Sequence, residues 1–121
     1  MMSMDISDAV RAYQYGERAK SELLMLSQLL TVAGDLPDTE RAGGKRILLI
    51  AMELVRTETE FAYRATTLQD FQRSVNSISD AISLTESNDF LGASLRIGAS
   101  ISAATTAAQN GWQVLNEHGL L

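Results

Sequence analysis

The sequence predicts an all-α protein that folds as one antiparallel, up-down-up-down four-helix bundle. Two observations predict it. Apolar side chains recur at three- and four-residue steps along most of the 121 residues, and turn-forming residues interrupt this periodicity at three places. Because each connection is short, consecutive helices are expected to be antiparallel neighbours. We expect a single domain over residues 1–121, with helices at about 6–33, 39–65, 68–87 and 89–117.

The first helix is predicted by a regular series of small and apolar residues. Gly34 follows this series and is expected to end the helix in the left-handed conformation, which glycine adopts without strain. Pro37 then marks the plainest turn in the chain. The series consists of Ala9, Ala12, Gly16, Ala19, Leu23, Leu26, Leu30 and Ala33.

The second helix is expected to begin with Asp38 as its cap and with Glu40 in its first turn. Gly43 and Gly44 weaken the start of this helix, and the sequence leaves open whether they interrupt it. The inner face is predicted to be its richest apolar arc, made of Ile47, Ile50, Ala51, Leu54, Val55, Phe61 and Ala62.

The third and fourth helices each have a start signal and an apolar stripe. The segment from Thr67 to Asp70 resembles a capping box, and Asp89 is placed to cap the fourth helix. The third helix is predicted to pack through Leu68, Phe71, Val75, Ile78 and Ile82. The fourth is predicted to pack through Phe90, Ser94, Ile97, Ile101, Ala104, Ala108, Gly111 and Leu115.

Residues 97–116 contain no charged side chain, and most of them are small. A helix of this kind is seldom left bare in water, because too few polar groups solvate its surface. One interpretation is close packing at the centre of the bundle. The interpretation that we favour is a self-complementary homodimer interface, formed by Gly98, Ser102, Thr105, Ala108 and Trp112.

Three charged residues fall within apolar arcs when the helices are drawn at 100° per residue. Glu58 lies in the arc of the second helix, and Glu17 and Lys20 lie in an arc of the first. Buried charges are costly unless they are paired, so we expect a buried pair between Lys20 and Glu58. The alternative is a polar pocket for a small ligand, formed by Glu17, Lys20 and Glu58 with Tyr13 lining it.

A possible anion site lies at the start of the second helix. Arg41, Lys45 and Arg46 surround Gly43-Gly44, where free amides and three cations together would hold a phosphate. The match to a phosphate-binding loop is weak, because the first glycine of that motif and its preceding strand are missing. The alternative is a solvated helix entrance.

Composition excludes several classes of function. With no cysteine there is no disulfide or thiolate metal site, and the single histidine, His118, cannot form a site that needs two imidazoles. The net charge of −5 argues against nucleic acid as a partner. The uncharged run is too polar for a membrane span, and no secretory signal is recognised, so we expect a cytoplasmic protein.

No nucleophile, metal site or cofactor motif is recognised, so the sequence favours a non-enzymatic protein without a cofactor. We expect it to act through self-association and protein–protein interaction, as a scaffold or adaptor. The alternative is a bundle that binds a small molecule, or a small enzyme, which uses the cluster of Glu17, Lys20 and Glu58.

Overall fold

The computed structural model describes residues 4–121, which form four helices. They are α1 (Ile6–Asp35), α2 (Asp38–Thr66), α3 (Gln69–Glu86) and α4 (Phe90–Glu117). Helix α1 packs against α2 and α4, and α3 packs against the same two helices. The predicted four-helix bundle is therefore confirmed, and each predicted helix end lies within two residues of the observed one.

The turn between α1 and α2 differs from the prediction. Gly34 does not stop α1, which continues through Asp35 and ends where Leu36 is extended, with φ −67° and ψ 147°. Leu36 precedes Pro37, and the proline ring disfavours the helical conformation of the residue before it. Pro37, rather than Asp38, occupies the cap position of α2. Gly43 and Gly44 lie inside α2 and do not interrupt it.

The other two turns give one wrong prediction and one confirmed one. Thr67 does not cap α3: it ends α2 in the left-handed conformation (φ 57°), and its hydroxyl donates to the carbonyl of Thr66. Asp70 pairs with Arg73 instead of completing a capping box. Asp89 does cap α4, because its carboxylate accepts a hydrogen bond of 2.8 Å from the backbone amide of Gly92.

The core is centred on the leucines of α1. The eight residues of the regular series that predicts α1 are the eight that the structure buries. Leu23, Leu26 and Leu30 belong to one cluster with residues of all three other helices, among them Met52 and Ile78. The strict three- and four-residue spacing of α1 was therefore sufficient to predict its buried face.

Helices α1 and α4 approach each other most closely, at glycines. A β-carbon at Gly111 would lie only 2.6 Å from the carbonyl oxygen of Ala9 and 2.8 Å from the backbone nitrogen of Tyr13. Only glycine allows the backbones to come this close. Gly111 of α4 therefore serves close packing inside the bundle.

A buried serine pair joins α3 to α4. The hydroxyls of Ser74 and Ser100 lie 2.5 Å apart, and both side chains are fully buried. The Ser100 hydroxyl also donates to the carbonyl of Ser74, and Ser74 lies 3.2 Å from the carbonyl of Ser100. The face that α3 buries is consequently wider than the predicted stripe.

Helix α2 does not bury its predicted face. Its buried residues are Leu48, Met52, Val55, Thr59 and Ala62. Relative to the predicted arc, the inward direction is rotated by about 90° around the helix axis. Ile47, Ile50, Leu54 and Phe61 were predicted to be inside and lie on the surface instead.

Candidate interaction surface

Seven large apolar side chains lie exposed on one side of the bundle, along α1 and α2. Each is between 42% and 69% exposed. We call this surface the α1/α2 face. It consists of Met25, Leu29 and Val32 on α1 and Ile47, Ile50, Leu54 and Phe61 on α2.

Two contacts between α1 and α2 show how this face is aligned. An Arg18 Nη2 atom donates to Glu58 Oε1 over 3.1 Å, and the ring centroids of Tyr15 and Phe61 lie 6.1 Å apart. In both pairs the residue numbers sum to 76. In an antiparallel pair of helices this sum is constant, so Leu29 is level with Ile47, and Met25 is level with the residue after Ile50.

The spacing along both helices is that of a packing stripe. On α1 the exposed positions 25, 29 and 32 continue the series of Tyr15, Arg18 and Glu22 at three- and four-residue steps. On α2 the positions 47, 50, 54 and 61 follow the same steps, with one step left out. Such stripes are typical of a helix face that packs against another helix.

A cluster of charged residues interrupts the apolar surface over about one helical turn. Arg18 pairs with Glu22 over 3.2 Å and with Glu58 over 3.1 Å. One cation and two carboxylates leave this cluster with a net charge of −1. We call these three residues the acidic cluster.

The predicted buried pair between Lys20 and Glu58 is wrong. The Glu58 side chain is 47% exposed and bonds to Arg18, whereas Lys20 pairs with Glu17 over 3.5 Å along α1. Glu17 and Lys20 lie on the side of α1 near α4, where the backbone of Tyr13 meets Gly111. The prediction failed because it assigned the wrong inner face to α2.

The four residues predicted to share a ligand pocket are therefore not brought together. The small cleft beneath Glu58, between α1 and α2, has a volume of about 10 Å³, about the size of one water molecule. Outside it, an open depression is lined by Tyr15, Arg18, Thr57, Glu58 and Phe61. Ligand binding by Glu17, Lys20, Glu58 or Tyr13 stays a prediction that no contact in the structure supports.

The three cations predicted to bind an anion do not converge. Arg41 pairs with Asp38 and donates to the carbonyl of Leu36, and the Lys45 ammonium donates to the carbonyl of Glu86 and to Asn88. Arg46 is exposed. Because Gly43 and Gly44 lie inside α2, their amides are not at a helix start, so the geometry that the prediction required is missing.

The predicted dimer residues of α4 have mixed positions. Gly98, Ser102 and Trp112 are exposed, and Thr105 is half-buried. Ala108 is only 2% exposed and packs against Gly16 of α1, so its proposed place in a dimer interface is wrong. Around Ala108, the small residues of α4 pack against α1 of the same chain.

A metal site and a membrane span are not found among residues 4–121. Those residues contain no group of three histidine, cysteine or acidic side chains that would hold a metal ion. Within the same range, every helix is too short or too polar to cross a membrane. Comparisons with protein-family models, curated proteins and solved structures give no match to this chain.

The α1/α2 face was missed by the sequence reasoning. One signal pointed to it: α2 carries more large aliphatic residues than one face of a helix can bury, spread over two adjacent arcs. The first arc contains Leu48, Met52 and Val55, and the second contains Ile47, Ile50 and Leu54. A helix with two apolar arcs is typical of a helix with two packing partners.

Proposed function

We propose that this protein works by self-association, as a non-enzymatic homodimer in which the α1/α2 face of one copy covers the same face of a second copy. The observation that carries the proposal is the choice of inner face on α2. The bundle buries Thr59 and Ala62 and leaves Leu54 and Phe61 in water. This arrangement is unfavourable for an isolated bundle and is explained if another surface covers the second arc.

The size of the face supports the same conclusion. The exposures of its seven side chains amount to an apolar area on the order of 800 Å², whereas the largest patch of a typical monomer is about 300–600 Å². A standard stable interface takes about 800 Å² from each partner. If all seven side chains were covered, two copies of this face would bury an area close to that of a standard interface.

Helix α4 offers a weaker alternative interface. Its large exposed apolar residues are Leu91 and Leu95 near one end and Trp112 near the other. Between them lie small residues such as Gly98 and Ser102, which bury little apolar area on association. We therefore move the proposed interface from α4 to α1 and α2.

A matched pair of leucine substitutions tests the proposal. Leu54 and Leu95 are exposed to similar extents, 64% and 71%, on different sides of the bundle. Sedimentation velocity at micromolar concentration should show a dimer for the unchanged chain and for Leu95→Glu, and a monomer for Leu54→Glu. Circular dichroism should show unchanged helix content in both variants, since neither leucine is in the core.

Three results would overturn the proposal. A monomer of 13.2 kDa at all concentrations would exclude the homodimer. A dimer that Leu95→Glu dissociates and Leu54→Glu leaves intact would return the interface to α4. A dimer that persists in both variants would mean that the interface contains neither Leu54 nor Leu95. A scaffold or adaptor role and a cytoplasmic location remain expectations from the sequence alone.

A further inference from the structure

We infer that the second copy packs with its helices antiparallel to the first, and that Arg46 of each copy pairs with the acidic cluster of the other. This inference rests on the proposed function and specifies how the two faces align. It depends on where the charges lie along α2.

Arg46 is placed at the edge of the α1/α2 face, beside Ile47 and one turn from Ile50. Its side chain is exposed and forms no ion pair with any residue from 4 to 121. The acidic cluster of Arg18, Glu22 and Glu58 lies on the same face, about 18 Å farther along the bundle axis. The face therefore has an exposed guanidinium without an ion pair near one end and a cluster of net charge −1 towards the other.

A symmetric dimer has two simple ways to bring these faces together. If the twofold axis runs parallel to the helices, every level of the face meets the same level of the second copy. The two acidic clusters then meet each other, and like charges in an interface are unfavourable. If the axis runs across the helices, the second copy is antiparallel to the first. Each acidic cluster then lies near the Arg46 end of the other copy's face.

The reversed arrangement also matches the apolar surface. Each residue of α1 can be assigned the number of the α2 residue beside it, which places Val32 at position 44. On this scale the face extends from position 44 to position 61, where Phe61 lies, so its midpoint is near Met52. A twofold axis at that level brings Ile50 over Leu54 of the second copy. The same axis brings Arg46 to the level of Glu58 of the second copy, because both lie six residues from Met52. It likewise brings Arg64 level with Glu40 of the second copy.

Charge reversal at positions 46 and 58 tests this alignment. Arg46→Glu alone places the new carboxylate against Glu58 at both ends of its homodimer, and Glu58→Arg alone places Arg46 against a second guanidinium. Each single variant should dimerise at least about tenfold more weakly than the unchanged chain. An equimolar mixture should form a heterodimer that is stronger than either variant's homodimer, because one end then joins the two introduced charges, which are opposite, and the other end joins the original pair.

Arg96→Glu provides the matched control. It makes the same change in charge on α4, where Arg96 lies only 3.9 Å from Asp80 and outside the α1/α2 face. Its dimer constant should stay within about twofold of the unchanged chain, since the site is distant from the interface. Sedimentation equilibrium of each variant and of the mixture, with one partner labelled, gives all of these constants.

The outcomes separate this inference from the proposed function. If the single variants weaken the dimer and the mixture restores it, the reversed alignment is supported. If the unchanged chain dimerises through Leu54 but the mixture gains nothing over the single variants, the alignment is overturned and the interface stands. If the unchanged chain is monomeric, both are overturned.

Discussion

Gly16 of α1 lies directly against Ala108 of α4: a β-carbon at position 16 would come within 2.8 Å of both the β-carbon and the backbone nitrogen of Ala108. Together with Gly111, this contact explains why α4 has small residues where it faces α1. The small residues that suggested a dimer interface on α4 instead allow α1 and α4 of the same chain to come into close contact. We therefore place the proposed self-association on another surface, the α1/α2 face.

The close approach of α1 and α4 predicts opposite effects for two glycines of α4. Gly111→Ala forces a methyl group against the carbonyl of Ala9, and we expect a loss of roughly 1–3 kcal/mol of stability. Gly98→Ala meets no atom within 4 Å, and we expect a gain of roughly 0.5–1 kcal/mol, because alanine favours the helix. Urea unfolding at one fixed protein concentration measures both. Equal effects of the two substitutions would mean that α1 and α4 are farther apart at Gly111 than the structure shows.

The buried serine pair predicts a modest cost for losing one hydroxyl. Ser100→Ala removes its bonds to Ser74 but leaves the Ser74 hydroxyl close to the carbonyl of residue 100. We expect a loss of roughly 0.5–1.5 kcal/mol. Ser102→Ala, at an exposed position of the same helix, should stay within about 0.5 kcal/mol of the unchanged chain. A loss no larger for Ser100→Ala than for Ser102→Ala would argue against the pair.

The ion pair between Arg18 and Glu58 predicts a small coupling energy. In the monomer both side chains are about half exposed or more, so a double-mutant cycle with alanine, measured below the dissociation constant of the dimer, should give roughly 0.2–1 kcal/mol. A second cycle between Lys20 and Glu58 should give no coupling, because Lys20 pairs with Glu17. The sequence-based expectation of a buried Lys20–Glu58 pair requires the reverse order and several kcal/mol for Glu58→Ala. Thermal and urea unfolding of the single and double variants distinguish the two.

The fold was predictable because the helices have regular spacing and clear turns. In α1 the series of small and apolar residues at three- and four-residue steps coincides with the buried face. Asp89 was a predictable cap, since its side chain acts within three residues of chain. Information of this local kind is fully present in the sequence.

The surface was not predictable for the opposite reason. In α2, two neighbouring arcs are apolar, and the local pattern does not decide which one the core takes. The packing of Leu48, Met52 and Val55 against the other helices decides it, and this depends on the whole bundle. The error at Glu58 followed directly, because a wrong inner face turns an exposed ion pair into a buried one. At Gly34, the neighbouring Pro37 determined where the helix ended, rather than the glycine.

The central claim is that a second copy covers the α1/α2 face, and the absence of cysteine gives a direct way to measure it. Leu54→Cys and Leu95→Cys each introduce a single thiol at an exposed helical position. The rate of reaction with a bulky maleimide is measured below and above the dissociation constant of the dimer. The account predicts that the thiol at position 54 reacts at least about tenfold more slowly in the dimer, since more than about 90% of the chains are then covered. The thiol at position 95 should react equally fast at both concentrations. Equal rates at position 54, or protection at position 95 alone, would contradict the account.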